Sequence, residues 1–359
     1  LCRFGILSTA GIARKNWKAI RLSGNACVTA VASRQQESAS RFIEAWSREV
    51  LPTVQPKAFG SYQELLDSDL VDAVYIPIPT AARHEWVIKA AEAGKHVIGE
   101  KPAAASAAQL QEMLDACRQH SVQYMDGVMF MHSQRLPLLR RLVDGEAGIG
   151  SMRRIASQFC FAGDDAFERG NIRCNSSLEP TGCLGDLGWY CIRIFEVLMN
   201  YRLPIEARGR TLHWLKGDDS SSGVPGEFSG ELLFEGGISA SFYCSFRTQH
   251  QQWVHASGSS GYLRIDDFVL PFRGAELTIH SGRDHFMIDN CSFHMEHHPG
   301  RFSVHEYDAG HHSAQETRMI RNFSEAVLAK NLNSQWPSWA LHTQKIMDAC
   351  YQSSLNDGA

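Results

Sequence analysis

Three side chains with the makings of a reaction site stand in two short motifs. HVIGEKP (96–102) puts Lys101 directly before Pro102, and PTGCLGDLGWYCIRIFEVL (180–198) spaces Asp186 and Tyr190 by four. Proline drives its predecessor out of helical geometry and permits a cis peptide, either of which can turn the Lys101 ammonium into a cleft instead of along its strand. On a helix, a spacing of four sets Asp186 and Tyr190 on one face, where a carboxylate and a phenol can address a common ligand. Leu184, Leu187, Cys191, Ile194 or Phe195, and Leu198 form the apolar stripe of that helix, with Arg193 on the polar side beside Asp186 and Tyr190. A solvated Asp186 with Tyr190 laid along the helix is the plainer alternative.

A third motif, FGILSTAGIA (4–13), lies where a strand should turn into a helix. A dinucleotide fingerprint reads G-x-G-x-x-G at such a turn, and here Ser8, Ala10 and Ala13 replace the glycines. Small residues still let a backbone approach pyrophosphate, so Ser8, Thr9, Ala10, Gly11 and Ile12 are candidate cofactor contacts, and the helix start supplies amide donors. A turn that needs small residues only for packing remains open on this stretch alone. The next strand ends Ala32-Ser33-Arg34, with no carboxylate for a ribose 2′-hydroxyl. A hydroxyl followed by a guanidinium suits a 2′-phosphate, so Ser33 and Arg34 favour NADP over NAD. Pro79 and Glu100 stand with Lys101 at strand ends on the same expected cofactor edge.

These residues need a scaffold, and the first third of the chain supplies its pattern. ACVTAVAS (26–33), VDAVYIPI (71–78), HVIGE (96–100) and VQYMDGV (122–128) are short apolar or β-branched runs suited to buried parallel strands. Between them QESASRFIEAW, AARHEWVIKAAEAG and SAAQLQEMLDACRQHS have helical spacing, the second closing on Gly94 as a cap. The alternation predicts an α/β fold, a Rossmann-type doubly wound parallel sheet with its ligand at the carboxyl ends of the strands. After about residue 128 longer strands joined by glycine turns take over: SMRRIASQFCF, GEFSGELLFE, GGISASFYCSF and GYLRIDDFVL. They predict an α+β unit with a mostly antiparallel open sheet, finished by helices over roughly 315–330 and 336–354. The expected division is 1–128 for the dinucleotide and 129–359 for substrate and oligomerisation.

Composition narrows the function classes. A length of 359 residues fits two domains, and 44% apolar with 21% charged residues is the soluble average. A net charge of -4 offers no basic field for nucleic acid, and no run approaches the roughly 18 apolar residues of a membrane span. Ten cysteines without CxxC pairs argue against a zinc ribbon or a secreted disulfide scaffold and point to the cytoplasm. No signal peptide is read, and residues can precede Leu1.

Taken together, FGILSTAGIA, VASR, EAGKHVIGEKP, NIR (171–173) and GCLGDLGWYCIR resemble the Gfo/Idh/MocA oxidoreductase family. D-x-G-x-Y in place of D-x-G-x-H is similar to the branch holding glucose-fructose oxidoreductase, dimeric dihydrodiol dehydrogenase and NADP-linked D-xylose dehydrogenase. The resemblance implies Lys101 as catalytic lysine, Tyr190 as acid/base and Asp186 as the motif's aspartate, with Arg173, Asp186 and Tyr190 on the substrate. Physical chemistry agrees: hydride transfer to a carbonyl develops alkoxide, a phenol must release a proton, and a nearby ammonium lowers its pKa from about 10. The implied reaction is NADP-linked hydride transfer with a sugar, polyol or dihydrodiol, in a homodimer or higher homo-oligomer whose uncovered sheet face, apolar on both sides in SASFYCSF, is buried against a second copy. If Tyr190 is not the donor, His84 and His132 come next.

Departures from the family pattern fall on the substrate side. The loop after 71–78 reads Pro79-Thr80-Ala81-Ala82-Arg83 before His84, and Pro180-Thr181-Gly182-Cys183 stands where consecutive glycines are usual. CSFHMEHHPG (291–300) gathers Cys291, His294, Glu296, His297 and His298 but matches no metal-site spacing, so a polar hairpin without metal is expected. A non-catalytic nucleotide sensor of the same fold is the main competing function; it would have no use for both Lys101 and Tyr190. Glycoside cleavage through transient NAD-dependent oxidation is a third reading, which the Ser33-Arg34 strand end disfavours.

Overall fold

The computed structural model describes residues 1–144 and 148–356. Strand and helix alternate through β1 (Cys2–Leu7), α1 (Ala13–Ser23), β2 (Ala26–Ala32), α2 (Gln36–Glu49), β3 (Lys57–Phe59), α3 (Tyr62–Leu66), β4 (Ala73–Ile76), α4 (Thr80–Glu92), β5 (His96–Gly99), α5 (Ala107–Gln119) and β6 (Tyr124–Asp126). The six strands are parallel in the order β3-β2-β1-β4-β5-β6. Chain progression reverses between β1 and β4, which opens a crevice at their carboxyl ends. Every residue of β4 is buried, as a strand covered on both faces requires. Gly94 stops α4 with φ +70°, and the amides of Gly94 and Lys95 close back on Ala91 and Ala90 at 2.8 and 2.9 Å. The sequence reading lacked β3 and α3, whose three and five residues are too short to show a period.

The rest of the chain contributes α6 (Arg135–Asp144), β7 (Met152–Ala162), α7 (Asp165–Gly170), a π-helical turn (Leu184–Gly188), α8 (Trp189–Leu198), β8 (Glu206–Leu215), β9 (Val224–Phe234), β10 (Ile238–Ser245), β11 (Arg247–Gly258), β12 (Tyr262–Ile265), β13 (Glu276–Asp289), β14 (Ser292–His305), α9 (Gln315–Leu328) and α10 (Gln335–Leu355). Eight strands form a sheet ordered β14-β13-β12-β11-β7-β10-β9-β8, antiparallel except for the parallel pair β7 and β10. On β10 the inward residues Ala240, Phe242 and Cys244 are buried, while Ser239, Ser241 and Tyr243 look outward. Arg154 donates to the Ser239 and Ser241 hydroxyls at 2.9 and 2.6 Å, and Tyr243 donates to Glu227 at 2.6 Å. The open face of this strand is thus polar, and the expectation of apolar residues on both faces is corrected.

The segment read as one amphipathic helix over 180–198 divides in two. Through Leu184–Gly188 the turn is wide, with the Trp189 amide bonding back to the Leu184 carbonyl five residues earlier. From Trp189 to Leu198 every residue is buried, so α8 has no solvated side. Its polar residues meet partners inside the protein, Glu196 Oε1 excepted. Arg193 donates to Asp126 at the end of β6 at 2.8 Å and to Thr343 of α10 at 2.7 Å, and Thr343 donates in turn to Glu196. This network holds α8 against the parallel sheet from behind.

Candidate active site

A cleft of about 890 Å³ lies between the carboxyl ends of the parallel strands and the face of α8 and β7. On the nucleotide side its wall includes Ala10, Gly11, Ile12, Glu100 and Lys101. Ser8 holds φ +146°, a conformation that favours glycine, and its hydroxyl accepts from the Ala10 amide at 3.0 Å. Serine thus replaces the missing glycine by closing the turn with its own side chain. Ser8 and Thr9 do not line the cleft, and Pro79 does not either: it precedes α4, and Pro77 and Ile78 form the wall there. A β-carbon at Gly11 would meet nothing within 4 Å, α1 has no acid in its first turn and no side-chain cap, and Arg14 and Lys15 face the cleft. An open backbone cradle at a basic helix start fits a dinucleotide pyrophosphate.

Ser33 is half-buried and Arg34 exposed past the end of β2. Tyr62, absent from the sequence reading, stands between Ser8 and Arg34: burial raises its pKa, while the Arg34 charge and a Ser8 hydrogen bond oppose the rise. Glu100 is turned back toward the sheet, accepting from the Tyr75 hydroxyl and from the Lys101 amide at 3.3 Å.

At Lys101 this wall meets the second domain, and four predicted residues come together there. The Lys101–Pro102 peptide is cis, and Lys101 Nζ donates to both Oδ1 and the backbone carbonyl of Asp186 at 2.6 Å each. Asp186 Oδ2 accepts from Arg173 Nε at 2.8 Å. Burial alone would raise the Asp186 carboxyl, but Lys101 and Arg173 outweigh it and hold the pKa at about 2. Lys101 Nζ also lies 4.8 Å from the centre of the Tyr190 ring, over its face. The Tyr190 hydroxyl is directed elsewhere, 3.9 Å from Met129 Sδ.

The net balance at Tyr190 departs from the expected lowering: burial first, then Glu100 and Asp186, raise its pKa, with Arg173 opposing. A buried phenol held neutral is a proton donor in waiting. The two reserve candidates lie elsewhere. His84 pairs with Glu112 at 2.7 Å on the outside of α4, and His132 is buried beside Asn322 with its pKa driven down to about 3 by burial and by Arg318 and Arg193.

Several residues at the cleft carried no sequence signal. Phe159 of β7 and His250 of β11 stand edge to face at 6.2 Å and line the substrate side. Glu179 accepts from the amide and hydroxyl of Thr80 at 3.0 and 2.6 Å, which caps α4 from across the cleft. Arg83 is buried and donates to the carbonyls of Ile78 at 2.8 Å and of Pro102, bracing the loops on either side of Lys101. Among the described residues no cluster of three or more His, Cys, Asp or Glu could hold a metal; His297 pairs with Asp284 at 2.6 Å and His298 with Glu296 at 3.4 Å.

A parallel nucleotide-type sheet joined to an open mixed sheet, with lysine, aspartate and tyrosine at the seam, defines an oxidoreductase architecture. Residues 2–128 match the model of an oxidoreductase family with an NAD-binding Rossmann fold, and residues 138–264 match the GFO/IDH/MocA C-terminal domain. The chain belongs to the Gfo/Idh/MocA family. It is 31% identical to D-xylose 1-dehydrogenase (NADP(+)) 2 of Haloferax volcanii over 277 residues, 77% of this chain and 79% of that one. It is 27% identical to dTDP-3,4-didehydro-2,6-dideoxy-alpha-D-glucose 3-reductase of Actinomadura kijaniata over 348 residues, covering 97% and 94%. The crystal structure of KijD10, a 3-ketoreductase from Actinomadura kijaniata in complex with NADP and TDP-benzene, superposes with a TM-score of 0.80 at 26% identity, covering 98% of this chain and 97% of that one.

Proposed function

We propose that this chain is an NADP-dependent oxidoreductase that moves a hydride between nicotinamide and a CH–OH or carbonyl carbon of a sugar, polyol or dihydrodiol. The observation that carries this reading is the Lys101, Asp186, Arg173 and Tyr190 cluster set across one cleft from the basic, uncapped start of α1. Nicotinamide, when bound, supplies or accepts the hydride. Gly11 and the first amides of α1 hold the pyrophosphate, with Arg14 and Lys15 adding charge, and Ser33 and Arg34 select the 2′-phosphate. Tyr190 carries the proton exchanged with the substrate oxygen. Lys101 offers positive charge to that oxygen as it becomes alkoxide, and Asp186 fixes the ammonium in place. Arg173, which lines the cleft and binds Asp186 through Nε, offers its terminal nitrogens to substrate hydroxyls.

The related dehydrogenases and reductases support turnover over a sensor role. We assign residues 1–128 to the cofactor and 129–359 to the substrate and to self-association as a homo-oligomer. No helix among the described residues is long and apolar enough to cross a membrane, and the cysteines are free, which suits the cytoplasm. A panel of aldoses, polyols and dihydrodiols offered with NADP and with NAD, followed by absorbance of the reduced nicotinamide, tests the reading. Turnover with NADP on at least one compound is expected; equal use of both cofactors would overturn the cofactor assignment.

A further inference from the structure

Two departures from the family pattern that lie far apart in sequence meet in the folded chain. One is Thr80, in the loop after 71–78, and the other is Glu179, directly before the Pro180-Thr181-Gly182-Cys183 stretch. Thr80 is buried, and the Glu179 carboxylate accepts from its amide and hydroxyl at 3.0 and 2.6 Å across 99 positions of chain. The Ala81 amide adds a third contact, donating to the Leu178 carbonyl at 3.1 Å. α4 opens on Pro79, with no side-chain cap there and no acid in its first turn, so the second domain provides the charge that this N-terminus lacks.

The same stretch of chain carries Arg173. Its earlier part is fixed within the second domain, where the Gly217 and Asp218 amides donate to the carbonyls of Cys174 and Arg169 at 2.9 Å each and the Ser176 amide donates to the Ser220 hydroxyl at 2.9 Å. Residues 171–179 thus form an arm, held on the β8–β9 connection as far as Ser176 and on α4 from Leu178 onward. Arg173 and Glu179 both line the cleft, each half-buried. Asp186 is the main cause of a raised Arg173 pKa, against burial, and Glu179 adds to it, which sets the two ends of the arm within reach of each other's charge.

We propose that Glu179 is a positioning residue for substrate: set into the start of α4, its carboxylate clamps the arm to the cofactor domain and so fixes where Arg173 presents its terminal nitrogens. The inference rests on the hydride-transfer reading, in which Arg173 takes substrate hydroxyls. A helix cap alone would need only an acid within α4, whereas a carboxylate from the other domain joins two walls of the cleft. With the clamp open, the arm and its guanidinium would be ordered only when substrate arrives, at the expense of affinity. The loss falls on binding, because Lys101, Asp186 and Tyr190 stand on elements outside the arm.

Steady-state kinetics of the full chain with its best substrate, beside hydrogen exchange, test the clamp. Glu179→Ala should raise KM about tenfold while kcat and NADP affinity stay within about twofold, the pattern of lost positioning in the ground state. Glu179→Gln can still accept from the Thr80 amide and donate to the hydroxyl oxygen, so it should return KM to within about threefold of wild type. Thr80→Val, isosteric and lacking only the hydroxyl, should move KM in the same direction by about threefold. Because Glu179 acts through Arg173, adding Glu179→Ala to Arg173→Ala should raise KM no further. The amides of 171–179 and of the first turn of α4 should exchange about tenfold faster in Glu179→Ala, with those of β1 and β2 unaltered. An unchanged KM, full additivity with Arg173→Ala, or a glutamine variant as impaired as the alanine one overturns the proposal. So does unchanged exchange of the arm, a result that needs no turnover. A chain inactive toward every compound with both cofactors would refute hydride transfer, while the exchange measurement would still decide the clamp.

Discussion

Tyr190→Phe removes one oxygen and leaves the surrounding packing in place. The ring keeps its neighbours Phe130 and Phe159, at centroid distances of 6.2 and 5.6 Å, and the Lys101 ammonium over its face. What the hydroxyl loses is a 3.9 Å contact to a thioether, a weak acceptor. Losing that contact while no longer burying a hydroxyl should shift folding stability by less than about 1 kcal/mol. If Tyr190 is the proton donor, turnover should fall roughly 10²–10⁴-fold, an increase of about 3–5 kcal/mol in the barrier. The signature is therefore a discordance, several kcal/mol in kcat against almost none in the denaturation midpoint, with NADP affinity unchanged. The pH profile adds a second criterion. Burial, Glu100 and Asp186 raise the phenol pKa, so it stays protonated through mildly alkaline pH and the wild-type reductive rate should show no loss near pH 10 from this group. Initial rates of nicotinamide oxidation across pH, beside urea titrations, measure both. A variant with full activity and an unaltered profile would refute the assignment and leave Lys101 as the proton source.

Acid should act through Asp186: its folded pKa of about 2 lies below the reference 3.8, so its contribution of about 2 kcal/mol is present above pH 4 and lost as pH falls toward 2. Lys101→Met should shrink that acid dependence in urea titrations and lower turnover. Glu196 has the opposite sign, since burial lifts its pKa from 4.5 to about 7 against the pull of Arg193; its stabilisation is present below pH 4.5 and about 3 kcal/mol is lost by pH 7. Glu196→Gln should flatten the stability curve over that window. Arg34→Asp should reverse the preference for NADP over NAD in equilibrium binding, because a carboxylate repels the 2′-phosphate and accepts from a ribose hydroxyl.

Strand identity was legible in the first half because buried parallel strands are runs of apolar residues and their helices carry a period. The cap at Gly94 and the final two helices followed from local chemistry. Lys101, Asp186 and Arg173 were legible as candidates; their contacts join residues up to 85 positions apart, which only folding brings together. The direction of the Tyr190 hydroxyl was hidden, since spacing fixes the side of a helix and not the place of a ring's far end. Asp186 and Tyr190 do sit at one seam, yet through a π turn whose five-residue bond has no compositional mark. Glu179, Arg83 and His250 act through side chains reaching across elements, and nothing near them in sequence announces a partner. The uniformly buried α8 escaped an amphipathic reading because Arg193 and Glu196 look like surface residues until Asp126 and Thr343 are seen to meet them.

A π turn is a helix holding one residue more than an α-helix needs for the same advance, and that surplus sets which mutations the site can absorb. Substitutions at Leu184 or Leu187 alter packing while leaving the lateral offset between Asp186 and Tyr190 intact. Deleting Gly185 would let the turn relax to ordinary winding and rotate everything before it by about 100° relative to α8, carrying the flanking loop with it. The site is thus sensitive to length at this place more than to side-chain identity. Laboratory evolution that samples single-residue insertions and deletions here would reach arrangements of the cleft that point substitution alone does not.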